Sequence, residues 1–185
     1  MKTKTIYKIA GIVLLMCGLQ ACGKEDIGPQ RNYEYGGKAT ALKNNIEWTA
    51  EIRAGKANED SDGFSFQFLV YNGFTLLEEI YVYNIYPQTG VQDIVTSNFT
   101  TEPQIVGSKF YVMIDGDVID DIYKIDKTKD NYITIDEYDA NAAKIRGTFQ
   151  IHTVIEKDGR FTESEPEVRF TAGEYETEVN PEWFE

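Results

Sequence analysis

The sequence predicts an all-β domain, either a single antiparallel β-sandwich or a small barrel of about eight to ten strands. Apolar residues recur with a period of two from Gly36 onward, which is the spacing of a strand that buries one face. Glycine, asparagine and aspartate separate these alternating segments, and no segment has the 3.6-residue period of an amphipathic helix. Hydrophobic residues make up 42% of the 185 residues and aromatic residues 13%, which is enough for a packed core.

The strands can be predicted in order from this pattern. Residues 39–42 and 46–52 alternate on either side of Lys43-Asn44-Asn45, and asparagine tolerates the positive φ that a tight hairpin turn needs. β-branched and aromatic segments predict further strands at 64–71, 80–86, 110–114, 132–135, 144–155 and 168–172. Residues 119–123 fit a helix or a strand equally well. At the C-terminus, Trp183-Phe184 is either a loose tail or a clasp against the domain.

The charge balance excludes one large class of partners. The chain has 18 Lys and Arg against 31 Asp and Glu, a net charge of −13, whereas a nucleic-acid backbone attracts a basic surface. The single histidine, His152, lies mid-strand with no Ser-x-Gly elbow or second histidine to complete a Ser–His–Asp triad. We therefore expect a protein that does not bind nucleic acid and is not an enzyme. A hydrolase with two catalytic carboxylates stays open as an alternative, because the sequence does not place the many acids.

Residues 1–21 have the pattern of a secretory signal peptide. Three lysines without an acid precede residues 9–18, which form an uncharged apolar run. This run is shorter than the roughly 20 residues that a permanent membrane-spanning helix needs. We therefore expect an exported protein whose mature chain begins after residue 21.

The tetrapeptide Leu19-Gln20-Ala21-Cys22 resembles the lipobox of bacterial lipoproteins. In that family the cysteine thiol receives a diacylglycerol, the signal is cut before the cysteine, and the freed amine is acylated. The resemblance implies that Cys22 carries two or three acyl chains, which is enough for stable membrane anchoring. Loss of Cys17 with the signal would then leave the folded domain without a free thiol, a disulfide or a zinc–thiolate site.

Residues 22–35 predict a flexible tether before a domain at 36–185, since they lack an apolar period and include Gly28-Pro29. Within this tether, Lys24-Glu25-Asp26 resembles the acidic export signal of Bacteroidetes surface lipoproteins. The resemblance implies a lipid-anchored protein on the bacterial outer membrane that faces the cell exterior. An anchor that faces the periplasm is the alternative.

Two segments of the predicted domain resemble an uncharacterised all-β domain of Bacteroidetes lipoproteins. Trp48 follows the first hairpin as in the pattern x-A-x-x-N-G-x-x-W-x-A, although Asn45 stands where that pattern has glycine. The second segment runs from Asn131 through Asp139-Ala140-Asn141 to Phe149. The resemblance covers residues 37–179 and implies an all-β fold and an envelope location, without an activity.

The segment 126–137 matches a calcium-binding EF-hand loop at several ligand positions. Asp126, Thr128, Asp130 and Glu137 fall at positions 1, 3, 5 and 12 of that loop. Asn131 stands where glycine normally makes the sharp turn, and the downstream flank predicts a strand rather than a helix. We therefore expect a charged turn that leads into a strand, with no cofactor, and keep a calcium loop of another kind as the alternative.

Together these observations predict a non-enzymatic, lipid-anchored binding or accessory protein of the outer membrane, with an envelope protein as its partner. One alternative is a carbohydrate-binding or glycan-active protein, because aromatic side chains stack on sugar rings. The candidate stacking residues are Trp48, Tyr71, Tyr81, Tyr83, Tyr86 and Trp183. The other alternative is a calcium-stabilised adhesin that uses the 126–137 loop.

Overall fold

The computed structural model describes residues 33–56, 63–100, 102, 105–161 and 163–184. Within them the chain forms eleven strands and one short 3-10 helix, so the all-β prediction is confirmed. The elements are β1 (Gly36–Lys43), β2 (Ile46–Lys56), β3 (Phe64–Asn72), β4 (Thr75–Ile85), β5 (Gly90–Thr96), β6 (Val106–Ile114), β7 (Val118–Ile125), β8 (Tyr132–Ile135), β9 (Glu137–Asp139), β10 (Lys144–Lys157), β11 (Glu167–Glu178) and the 3-10 helix Pro181–Phe184. No helix among the described residues is long and apolar enough to cross a membrane.

The sheet closes into a barrel, which decides between the two predicted architectures. Its strands follow the order β11-β1-β2-β3-β4-β6-β5-β8-β10, and β10 pairs with β11 to complete the circle. Every pairing in this nine-stranded ring is antiparallel except that of β5 with β6. Closure gives each of these strands a partner on both sides, so the nine described strands of the ring leave no long unpaired edge for association with another chain.

Three consecutive strands run along the same edge of β10. Tyr123 of β7 pairs with Ile155, Tyr132 of β8 pairs with Gln150, and β9 pairs near residue 145. At one end of the barrel β7 pairs with both β10 and β6 and is the only strand between them. At the other end two strands lie between β10 and β6, because β10 pairs with β8, β8 with β5, and β5 with β6. Eight strands therefore surround one end of the barrel and nine surround the other end.

Aromatic side chains fill the interior. The indole of Trp48 lies 5.1 Å from the ring of Phe170 and 6.4 Å from that of Phe149, in edge-to-face geometry. Phe68 lies 4.9 Å from Phe149 and 5.9 Å from Phe66. Burial of each such side chain stabilises the fold by about 1.5–3 kcal/mol. Because side chains occupy the barrel interior here, a ligand has to be sought on the outer surface or at an end.

Tight turns join the strands at the eight-stranded end. Asn44 and Asn45 have φ of 49° and 69°, which confirms the predicted hairpin and explains why two asparagines occupy it. Gly73 (φ 60°) makes the turn between β3 and β4, and Gly116 (φ 88°) that between β6 and β7. A longer connection joins β10, which ends at Lys157, to β11, which begins at Glu167.

The C-terminus closes the other end of the barrel as a clasp. The indole of Trp183 stacks on Phe64 at 5.5 Å and meets the ring of Tyr35 edge-on at 5.3 Å. Phe184 stacks on Tyr138 at 4.0 Å with an interplanar angle of 11°. Of the two possibilities for Trp183-Phe184, the structure selects the clasp.

Candidate functional site

The predicted anchoring residues lie outside the described residues. These are the signal peptide 1–21, the lipobox residues Leu19, Gln20, Ala21 and Cys22, and the tether residues Lys24, Glu25 and Asp26. The geometry that follows concerns the barrel alone.

The loop 126–131 is an excursion between β7 and β8, held at its neck by its own side chains. Asn131 Nδ2 donates to the backbone oxygens of Asp126 and Lys129, at 2.9 Å each. Asp126 Oδ1 accepts from the backbone N and the hydroxyl of Thr128, at 2.9 and 2.7 Å, and these bonds lower the pKa of Asp126. The side chains of Asn131 and Asp126 thus form hydrogen bonds within the loop, where no strand pairing is present between the end of β7 and the start of β8.

The structure does not bring the four candidate calcium ligands together. Asp126 and Thr128 are hydrogen-bonded to each other, and Asp126 N donates to His152 O on β10. Glu137 instead lies on β9 opposite Arg146, with a 3.6 Å contact to that guanidinium. Residues 146 and 152 of one strand lie on the order of 20 Å apart. Among the described residues, no group of three or more acidic, histidine or cysteine side chains is arranged to hold a metal ion.

His152 serves the same loop through its backbone. Its N donates to Asn131 Oδ1 at 2.6 Å, and its O accepts from Asp126 N at 2.9 Å. Burial lowers the pKa of the imidazole, and the nearby cations Arg169 and Lys129 lower it further, so the ring is neutral at pH 7. Its Nδ1 is buried and has no hydrogen-bond partner in the described part of the chain. Within the described residues, no acid therefore orients the ring through Nδ1 as a Ser–His–Asp triad requires.

Two open clefts flank this loop at the fork between β5 and β7. Ile125 N, beyond the end of the β6–β7 ladder, donates to Ser97 Oγ at 2.6 Å and joins the two strands at the fork. One cleft has a volume of about 610 Å³ and contains Asp93, Lys127, Lys129, Asp130, Asn131 and Tyr132. The second has a volume of about 500 Å³ and contains Ser97, Asn98, Lys124, Asp126, Lys127 and Glu156. Each lining balances amines against carboxylates.

Seven of the ten large apolar side chains that are exposed among the described residues lie at the eight-stranded end of the barrel. This end carries four connections, β1–β2, β3–β4, β6–β7 and β10–β11, because every strand there belongs to one of these hairpins. All four present exposed apolar residues, and we call this set the apolar rim. It consists of Leu42, Ile46, Phe74, Leu77, Val118, Ile119 and Phe161. Phe74 is 83% exposed, Phe161 77% and Ile46 72%, which is unusual for such side chains.

A half-buried ion pair lies beneath the apolar rim. Glu78 accepts from Lys43 Nζ through Oε1 and from Trp48 Nε1 through Oε2, the latter at 3.0 Å. Lys43 Nζ also lies 5.1 Å from the centroid of Phe110, a cation–π contact. This network ties the β1–β2 hairpin to β4 and uses Glu78 for the fold rather than for chemistry.

Two consecutive buried acids fasten the β10–β11 connection. Asp120 Oδ1 accepts from Arg160 N at 2.8 Å, and its Oδ2 accepts from Phe161 N at 3.3 Å. Asp121 Oδ1 accepts from Gly159 N and from the hydroxyl of Ser164, both at 2.7 Å. Both carboxylates are almost completely buried, so these bonds offset the cost of removing them from water. These bonds fasten Gly159, Arg160, Phe161 and Ser164 of the connection to β7.

The hairpin tips are also joined to each other. Asn44 N donates to Arg169 O and Asn44 Oδ1 accepts from Arg169 N, both at 2.9 Å, while Asn44 Nδ2 donates to Glu165. A Cβ added at Gly116 would lie 3.4 Å from the backbone N of Leu76, which places the β6–β7 tip against the β3–β4 hairpin. The connections that carry the apolar rim therefore support one another.

The outer wall between the two ends contains a half-buried carboxylate. Glu79 Oε1 accepts from Gln67 Nε2 at 2.8 Å. Burial raises the pKa of Glu79, and the hydrogen bond from Gln67 and the charge of Arg53 only partly oppose this. The neighbouring Tyr111 has a raised pKa for the same reason, with the charge of Glu79 adding to the effect of burial.

The candidate stacking residues do not form one platform. Trp48 and Tyr83 are buried, and Trp183 packs in the clasp at the other end from the rim. Tyr71, Tyr81 and Tyr86 are half-buried on the outer wall. Packing therefore accounts for the first three, while on the wall Tyr71 OH is hydrogen-bonded to Tyr33 OH at 2.9 Å and the ring of Tyr81 lies 5.6 Å from that of Tyr83.

Sequence reasoning missed the apolar rim. Five of its seven members lie near strand ends and only Phe74 and Phe161 lie in connections, so no short segment reveals the set. Only closure of the barrel brings the four tips to one end. A local signal existed in Gly73-Phe74 and Arg160-Phe161, where a large apolar residue stands in a turn that would normally be polar.

No protein-family model, curated protein sequence or solved structure matches this chain. Function is therefore inferred from the geometry of the described residues and from the motifs near the N-terminus.

Proposed function

We propose that this protein is a non-enzymatic binding or accessory protein, held by lipid at Cys22 on a bacterial outer membrane and facing the cell exterior. The observation that carries the binding role is the apolar rim, seven exposed apolar side chains at one end of a filled barrel. Large apolar side chains exposed together at one end of a domain are typical of interaction sites. The lipobox Leu19-Gln20-Ala21-Cys22 and the tether residues Lys24-Glu25-Asp26 support the anchoring and the location.

The use made of the polar groups supports a role without catalysis. Asp120 and Asp121 accept hydrogen bonds from the β10–β11 connection, and Glu78 accepts from Lys43 and Trp48. A general acid or base needs a free oxygen next to a substrate site. These acids are instead occupied by bonds that hold the fold.

Fatty-acid labelling in the source cells tests the anchor. Cys22→Ser should abolish incorporation of a labelled fatty acid and release the protein from the membrane fraction. Cys17→Ser is the matched control, because Cys17 lies in the predicted signal peptide and should leave labelling unchanged. Labelling that survives Cys22→Ser would refute lipid attachment at this residue.

Protease added to intact cells tests the orientation. A protein on the cell exterior should be degraded without lysis, whereas a periplasmic marker in the same cells should persist. Degradation only after lysis would assign the anchor to the periplasmic side and exclude an exterior role.

Glycan binding is a second candidate function, favoured by the clefts beside the 126–131 loop. Their linings combine amine, amide, hydroxyl and carboxylate groups, and Tyr132 offers a ring next to them. Such groups match the hydroxyls of a sugar. Titration of neutral and acidic oligosaccharides should show binding that Lys127→Ala weakens and Lys38→Ala, on β1, does not. No binding across the panel, and no hydrolysis, would eliminate this candidate.

A further inference from the structure

We propose that the apolar rim docks a second envelope protein, whose contact surface has an apolar centre bordered by basic residues. This inference rests on the proposed binding role and identifies the site and the chemistry of the partner. Three features of the barrel carry it: the apolar anchors, their rigid support and the charge around them.

The apolar anchors suit a protein surface. Phe74 and Phe161 project from two of the four tips, and Ile46 and Val118 project from the other two. Protein interfaces concentrate binding energy in a few such side chains near their centre, surrounded by a polar border. Spread over four tips, these residues fit a broad patch rather than a small-molecule pocket.

The support beneath the rim lowers the cost of binding. Phe161 follows directly after Arg160, and the backbone N of each is bound by Asp120. The β1–β2 turn is fastened to β11 through Asn44. A surface that is ordered before it binds does not lose conformational freedom when its partner arrives.

The charge around the rim selects the class of partner. Exposed acids on the four connections and adjoining strand ends outnumber the exposed bases Lys157, Arg160 and Arg169. The acids are Glu47, Asp115, Asp117, Asp158, Glu163, Glu165 and Glu167. Such a border repels an anionic lipid headgroup and a second copy of the same rim, and it attracts a basic border on another protein.

The first strand starts away from the rim. β1 begins at Gly36, at the end of the barrel where the C-terminal clasp lies, and the hairpin tips lie at the opposite end. Within the described residues, no segment covers the rim side chains, which are 36% to 83% exposed.

Site-specific photo-crosslinking of the full-length lipoprotein in the source cells tests the proposal. The probe p-benzoylphenylalanine replaces Phe74 or Phe161 on the rim, or Val91 as the control. Val91 is 69% exposed but lies on β5, away from the four tips. Both rim positions should form an adduct with the same protein, and the control position should not. The adduct peptide of the partner should be apolar and flanked by lysine or arginine.

Charge reversal supplies the second arm of the test. Asp115→Lys combined with Asp117→Lys should reduce the adduct at position 161 by about tenfold, because the border then repels basic residues. Glu174→Lys combined with Glu178→Lys changes the net charge equally on exposed positions of β11 and should leave the yield unchanged. Thermal unfolding of each variant confirms that it is folded.

Four results would overturn the proposal. They are equal adducts at rim and control positions, adducts with lipid only, adducts with a second copy only, or yields that the Asp115 and Asp117 variant does not lower. Fractionation of the same cells reports anchoring and orientation separately. Loss of surface exposure with an intact rim adduct would refute the location, whereas surface exposure without a rim adduct would refute this docking site.

Discussion

The two ends of the barrel use similar side chains in opposite ways. At the clasp end, Trp183 and Phe184 lie over Phe64, Tyr35 and Tyr138, so aromatic rings cover one another and seal the core. At the rim end, the rings and branched side chains of the hairpin tips point into solvent. In the part of the chain that the structure describes, the C-terminal segment covers the first end and no segment covers the second.

This difference distinguishes aromatic rings that pack in the core from aromatic rings that are exposed to solvent. The sequence near a strand end does not reveal which of the two a ring will be, since Phe64 and Phe74 are ten positions apart and lie at the two extremes of exposure. What decides is whether a later segment covers the residue. The exposed end keeps its apolar surface at a cost in solubility, which is typical of an interaction site.

The largest expected effect compares Phe64 with Phe74. Phe64→Ala removes a fully buried ring that contacts Trp183 and Phe66, and should lower the free energy of unfolding by about 3–5 kcal/mol. Phe74→Ala removes a ring in solvent and should change it by less than about 0.5 kcal/mol. Chemical denaturation of both variants measures the difference. Equal losses would mean that Phe74 is covered and the rim is not an exposed surface.

The next effect concerns the clasp. Trp183→Ala removes the stack on Phe64 and the contact with Tyr35, and should cost about 2–3 kcal/mol because the indole is only partly buried. Glu182→Ala, an exposed change in the same 3-10 helix, is the control and should be nearly neutral. A denaturation midpoint for Trp183→Ala that matches the control would show that the clasp does not hold the barrel end.

A smaller, more local effect is expected at the acids beneath the rim. Asp120→Ala leaves the N–H groups of Arg160 and Phe161 without their acceptor, and should cost about 1–3 kcal/mol. It should also speed proteolytic cleavage between residues 158 and 166, because the connection is no longer fastened. Asp117→Ala on the neighbouring tip removes an exposed acid and should do neither. Unchanged cleavage in Asp120→Ala would mean that the connection is held by other contacts.

The smallest effect lies on the wall between the ends and depends on pH. The pKa of Glu79 is raised on folding, so the folded state favours the protonated carboxyl and loses stability as pH rises from the usual glutamate range through the raised value. Glu79→Gln should therefore be more stable than the natural chain at pH 7, by less than about 1 kcal/mol, and should lose this advantage near pH 4. Glu174→Gln, at an exposed position, serves as the control. A variant that is less stable at pH 7 would reverse the sign and refute the desolvation argument.

The sequence predicted those parts of the fold that depend on neighbouring residues. Asn44-Asn45 marked a hairpin because two successive positive φ values demand residues that tolerate them. Three strands escaped prediction. β7 carries Asp120-Asp121 at its centre, and these acids are buried only because a connection about 40 residues later returns over them. β5 breaks the apolar alternation, because Gln92 is buried while Val91 and Val95 are exposed, and β9 has only three residues.

The candidate site shows the same division. The motif at 126–137 could be read from spacing alone, but spacing does not reveal that β9 places Glu137 beside Arg146 while Asp126 stays near His152. The rim has no motif at all. Its members on the four tips are Ile46, Phe74, Val118 and Phe161, and each is 28 to 44 positions from the next along the chain. Only the order of the strands brings them to the same end of the barrel.

By itself the sequence determined an acidic, all-β chain with a core of alternating apolar residues and a series of tight turns. It also provided the motifs from which export and lipid attachment are predicted. These properties depend on composition, period and short spacing. The tertiary structure decided that the sheet closes, because closure requires β11 to pair with both β1 and β10. In that pairing Gly37 of β1 lies opposite Thr177 of β11, which is 140 positions later in the sequence. That long-range pairing gathers four hairpin tips at one end of the barrel and leaves their apolar side chains exposed.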